Sequence, residues 1–265
     1  MLVRTAGRPE FHNPVMRRFL SWHLPLSIGV VATVLFAWGL YLGLRGDAGS
    51  PVLESKPPRE VRLDDHGRLD ILLLGDSLAR GMGDASGKGI GGHLIDELAA
   101  KKVTTAPLVN IAVAGAQTED LLAQMESSNV RELIGKANLI VISIGGNDLH
   151  GEARDRPPAN PIVAMSQTLD RAEGAMRSVR EINPTTRIFV IGLYNPFVGS
   201  EEGKSLNEAI QRWNGEMRIR FADDRNLAVV ETSDVVDRPE RLSADRFHPN
   251  SESYAIIARR IVDAM

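Results

Sequence analysis

The sequence predicts a three-layer α/β/α domain on a five-stranded parallel sheet, preceded by one N-terminal transmembrane helix. Three observations carry this reading. Five short apolar runs recur: ILLL at 71–74, LVNIAV at 108–113, LIVISI at 139–144, IFVI at 188–191 and LAVV at 227–230. Segments of helical character separate or follow them, at 92–101, 118–135, 162–183, 205–222 and 251–265. Ahead of all of these, residues 24–44 run for 21 positions without a charge.

The first 23 residues form a basic segment. Five arginines stand against Glu10 alone up to position 45, leaving 26 basic and 33 acidic side chains in the remainder. This acidic body argues against nucleic acid as a partner. The stretch LPLSIGVVATVLFAWGLYLGL at 24–44 matches the roughly 20 helical residues needed to cross a hydrocarbon core of about 30 Å. The rival reading is a cleaved signal peptide, whose apolar region is usually about 7–15 residues and whose small-residue site is poorly matched by Ala48 and Ser50 before Pro51. Arginines before the span and few behind it place the N-terminus in the cytoplasm and the body outside. Gly39 and Gly43 form a GxxxG pair through which two such helices could touch in weak self-association. Residues 45–69, rich in Gly, Pro and charge, read as a linker, and 70–265 as the folded domain.

Within that domain, near-continuous branched apolar runs alternating with helices indicate strands buried on both faces of a parallel sheet. Segment 162–183 puts Ile162, Met165, Leu169, Ala172, Met176 and Val179 on one helical stripe. The apolar share of 43% and charged share of 25% suit a globular body. Zero cysteines exclude disulfides, zinc ribbons, iron–sulfur clusters and thiol nucleophiles.

Ligands of such open sheets sit beyond the carboxyl ends of the strands. There the chain carries Gly75-Asp76-Ser77-Leu78, Ala114-Gly115-Ala116, Gly145-Gly146-Asn147-Asp148 and, after a loop, Asp245-Arg246-Phe247-His248-Pro249-Asn250. These are the parts of an acyl-transfer site. A serine hydroxyl becomes a nucleophile when an imidazole removes its proton, and the imidazole needs a carboxylate to orient it. Ser77, His248 and Asp245 meet that need, because Asp245 lies three residues before His248 in a turn. The Ser77 and Gly115 backbone N–H groups and the Asn147 amide could form the oxyanion hole.

This constellation resembles the SGNH (GDSL-type) hydrolases over roughly residues 70–265. The strings that carry it are GDSLARG at 75–81, NIAVAG at 110–115, GGND at 145–148 and DRFHPN at 245–250. The resemblance implies an esterase, lipase or acylhydrolase with a flavodoxin-like sheet and no cofactor. With its anchor, the chain looks most like bacterial cell-envelope hydrolases facing out from the membrane. Two substrate classes fit: lipid or lysophospholipid esters, and acetyl groups on cell-wall sugars. The rival from another class is a non-catalytic glycan- or acyl-binding module, whose mark would be loss of Ser77, Asp245 or His248; all three are present.

Other signals are set aside. Gly87–Gly92 satisfies GxGxxG literally, but it starts thirteen residues after the first strand, too far for a dinucleotide fingerprint, and reads as a mobile flank of the site. Asp64, Asp65 and His66 read as solvated charges of the linker, so no metal is expected. His150 is a candidate for the cleft rim. Asp234 and Asp237 are the carboxylates that could be mistaken for the triad acid.

Overall fold

A computed structural model describes residues 63–64, 67–150 and 161–265, all within the unit Ser55–Met265. The expected span at 24–44, the basic segment before it and most of the expected linker lie outside the described residues. Among the described residues no helix is long and apolar enough to cross a membrane.

Five parallel strands form the sheet: β1 (Ile71–Gly75), β2 (Val109–Asn110), β3 (Leu139–Ser143), β4 (Arg187–Ile191) and β5 (Leu227–Val230). Their order is β2-β1-β3-β4-β5, with Leu73 opposite Val141, Val141 opposite Phe189 and Phe189 opposite Ala228. The helices are α1 (Ser77–Arg80), α2 (Gly89–Ala100), α3 (Thr118–Met125), α4 (Ser128–Lys136), α5 (Gly146–His150), α6 (Pro161–Ile182), α7 (Glu201–Arg220) and α8 (Ser251–Asp263).

Side chains alternate across a strand, so each run feeds two cores. Ile71, Leu73, Val141, Phe189 and Ile191 pack with Leu94 and Leu98 of α2 and Tyr254, Ile257 and Ile261 of α8. Leu72, Leu74, Ile140, Ile142 and Val190 pack on the other face with α3, α4, α6 and α7. Every residue of β1, β3 and β4 is buried, which explains why they are apolar except at Ser143 and Arg187 on their ends.

Three expectations are corrected. The run 108–113 is a strand only at Val109–Asn110, because the Asn110 side chain accepts from Ala112 N–H and donates to the Ala79 carbonyl, turning the chain. The helix expected at 118–135 is two helices, separated where Ser127 takes an extended backbone (φ −67°, ψ 131°). The α7 helix begins at Glu201, earlier than 205, because the Ser200 hydroxyl accepts from Gly203 N–H and caps it.

Candidate active site

The turn after β1 sets the position of Ser77. Gly75 has φ +110°, and a Cβ there would lie 1.8 Å from the Ser143 carbonyl oxygen, so only glycine lets β1 cross so close to the end of β3. Asp76 follows as the cap of α1. Its N–H donates to the Ser143 carbonyl (2.9 Å), and its Oδ1 accepts from Leu78 N–H (3.0 Å) and the Ser143 hydroxyl (2.7 Å). Burial pushes the Asp76 carboxyl up to about 6, against those hydrogen bonds and the attraction of His248. Ser77 is therefore held at the first position of a short helix.

His248 reaches this serine from 171 residues away, with Nε2 at 2.9 Å from Ser77 Oγ. Its Nδ1 lies 2.7 Å from Asp245 Oδ2. The turn folds around the carboxylate, whose Oδ1 accepts from the Ser243 hydroxyl (2.6 Å) and from the N–H groups of Phe247 and His248 (both 2.9 Å). Burial pushes the Asp245 carboxyl up. The bonds from Ser243, His248 and Phe247 outweigh it and hold the acid well below the usual carboxylate range. An ionised carboxylate only accepts, so Nδ1 carries the proton and Nε2 is left to accept from Ser77. Phe247 stands edge-on to the imidazole, ring centres 5.1 Å apart.

Asn147, in the first turn of α5, donates from Nδ2 to the Ala116 carbonyl (2.9 Å). Ser77 and Asn147 line one recess of about 40 Å³, together with Leu193, Tyr194, Pro196 and Phe247. Gly115 (φ +83°) is exposed and does not line it, though the residue after it is the one Asn147 grips. The structure thus brings Ser77, His248 and Asp245 into one hydrogen-bonded chain and sets Asn147 at the same recess.

The rival acids are engaged elsewhere: Asp234 pairs with Arg260 (2.6 Å) and Asp237 with Arg238 (3.4 Å). Asp64 pairs with Arg68 (3.1 Å), whereas Asp65 and His66 lie outside the described residues. No group of three His, Cys, Asp or Glu among the described residues is placed to hold a metal ion. His150 closes α5.

The glycine-rich stretch is held to its neighbours by hydrogen bonds. The Asp84 carboxylate accepts from Ser86 N–H and hydroxyl (2.8 and 2.7 Å), Gly89 N–H (2.7 Å) and the Ser251 hydroxyl (2.5 Å). His93 Nε2 lies 3.1 Å from Oδ2, the oxygen that also accepts from Gly89 N–H. A phosphate at the start of α2 would have to displace this carboxylate. The Tyr254 hydroxyl also grips the Met82 carbonyl (2.6 Å). Gly83 packs so tightly that a Cβ would lie 2.5 Å from His248 Cβ. Sequence reasoning missed Ser143, Ser243 and Gly83, because each acts through a neighbour that folding supplies.

Residues 73–256 match the family described as the GDSL-like lipase/acylhydrolase family. YpmR, an uncharacterised protein of Bacillus subtilis (strain 168), is 30% identical over 216 residues, which cover 78% of this chain and 84% of that protein. Among solved structures, the lipase Lip_vut3 from a goat rumen metagenome superposes with a TM-score of 0.64 at 25% identity, over 74% of this chain and 97% of the lipase. The acetylxylan esterase Axe2 of Geobacillus stearothermophilus shares the fold with a TM-score of 0.57 at 21% identity, over 78% of this chain and 96% of Axe2.

Proposed function

Because the chain belongs to the GDSL-like lipase/acylhydrolase family, we propose that it hydrolyses carboxylic esters with Ser77 as nucleophile, His248 as base and Asp245 as the orienting acid. The observation that carries this is the chain from Ser77 Oγ to His248 Nε2 (2.9 Å) and from His248 Nδ1 to Asp245 (2.7 Å). Ser77 Oγ attacks the ester carbonyl carbon as its proton passes to Nε2, and Asp245 stabilises the imidazolium that forms. The carbonyl oxygen, now an anion, is received by the Ser77 N–H, the Gly115 N–H and the Asn147 amide. Loss of one such donor costs on the order of 3 kcal/mol. His248 then gives its proton to the departing alcohol, leaving the acyl group on Ser77. Water repeats the sequence, with His248 again as base, and releases the acid.

In this reading residues 24–44 anchor the chain in the membrane, 45–69 tether it, and 70–265 act on the extracytoplasmic side. Support comes from the uncharged span and the arginines before it. Substrates are esters presented in the cell envelope.

The test is replacement and labelling of the nucleophile. Ser77→Ala should abolish turnover of p-nitrophenyl esters, with kcat falling on the order of 10⁶-fold and thermal stability nearly unchanged. An organophosphate should modify Ser77 alone, as read by peptide mass spectrometry. Turnover retained by the alanine variant removes Ser77 from the mechanism.

A further inference from the structure

The recess beside Ser77 has a size, and its walls are pinned. A cavity of about 150 Å³ takes benzene, which is about 25 Å³ for each carbon. At about 40 Å³, the recess between Ser77, Asn147, Leu193 and Phe247 holds one or two carbons. Its walls also include Asp76 and Ser143, polar groups that make a poor environment for an alkyl chain.

The wall after β4 has little freedom to retreat. Leu193 N–H donates to Asn214 Oδ1 (2.8 Å), and Asn214 Nδ2 donates back to the Leu193 carbonyl (2.9 Å). The Gly192 carbonyl accepts from the Thr232 hydroxyl (2.6 Å). The Tyr194 hydroxyl holds the Phe247 carbonyl (3.0 Å), joining this wall to the residue beside the imidazole. Asn195 Oδ1 accepts from Phe197 N–H (2.9 Å), and its amide donates to the Gly203 carbonyl (2.7 Å). Widening the recess would break several of these buried bonds together.

An ester places two groups around the carbon that Ser77 attacks. The alcohol must leave, and water must enter, past His248. The acyl group stays on Ser77 through both half-reactions, so the confined side belongs to it. We propose that the recess is an acyl pocket that selects acetyl and propionyl esters, with the alcohol portion in the open. This rests on the hydrolase reading and names its substrate class: short-acyl esters of large alcohols.

The experiment compares two series on the full-length protein. With p-nitrophenol as the fixed alcohol, kcat/KM should be highest for acetate and propionate. It should fall by roughly tenfold or more for each methylene added beyond them. With acetyl fixed and the alcohol graded from methyl to octyl, kcat/KM should change by only a few fold. Leu193→Ala removes three carbons, about 75 Å³ at the same scale, and should raise the butyrate-to-acetate ratio at least tenfold. Leu193→Val should raise it less and guards against misfolding of the larger truncation. Octanoate cleaved as well as acetate, or a steep dependence on the alcohol with none on the acyl chain, overturns the acyl pocket and leaves the hydrolase reading standing. No turnover of any ester, with Ser77 unlabelled by an organophosphate, overturns both.

Discussion

Replacing Asp76 by asparagine removes a charge that the fold holds at a cost. Asp76 is 6% exposed, and its carboxyl is pushed up to about 6 from an ordinary 3.8. Between those values the native chain keeps a proton that the unfolded chain releases. Stability therefore falls as pH rises from about 4 to about 6, then levels off. The full cost of the ionised form above that window is roughly 3 kcal/mol, at about 1.36 kcal/mol for each pH unit between the two values. An amide keeps an acceptor for Leu78 N–H and for the Ser143 hydroxyl, so Asp76→Asn preserves the turn while removing the charge. Urea unfolding of both proteins, followed by circular dichroism from pH 4 to pH 8, reads this group, because titrations that do not feel the Asp76 charge cancel in the difference. The variant should gain about 3 kcal/mol relative to wild type between pH 4 and pH 7, and nothing further above that. A difference that stays flat across the range, or grows as pH falls, refutes the reasoning. The wild-type carboxylate attracts His248, an interaction that the amide gives up.

Asp245→Asn should lower kcat by up to about 10⁴-fold, since an amide can hold the wrong imidazole tautomer, whereas Asp234→Asn, which disturbs only the pair with Arg260, should leave kcat within a few fold. Steady-state kinetics on variants shown to be folded decides this, and the reverse order would reassign the acid. Gly83→Ala forces a Cβ to within 2.5 Å of His248 Cβ from a backbone at φ +87°, and should cut kcat on the order of 10²-fold by displacing the imidazole. Unchanged kcat there would mean that His248 has slack. Protease added to intact cells or spheroplasts should digest the body and leave the residues before the span, whereas full protection with the body in the cytoplasmic soluble fraction would reverse the topology.

The apolar runs at 71–74, 139–144, 188–191 and 227–230 made the sheet legible, because strands covered on both faces are mostly apolar along their length, and that is a local property of the chain. The GDS, GGND and DRFHP strings were legible for the same reason, each following a strand or loop that could be placed without knowing its neighbours. The run at 108–113 misled because Asn110 bonds to Ala79, 31 residues earlier, and shortens the strand. The spacing before His248 already singled out Asp245, and the tertiary structure adds that Asp234 is engaged by Arg260 of α8. The upward push on the Asp76 carboxyl follows from burial, opposed by the hydroxyl of Ser143, 67 residues away. The recess has its size because Asn214 and Thr232 pin its wall from α7 and from the segment after β5. Periodicity and turn chemistry act over a few residues and can be read along a sequence. Distances, desolvation and cavity volume arise between residues that only folding brings together.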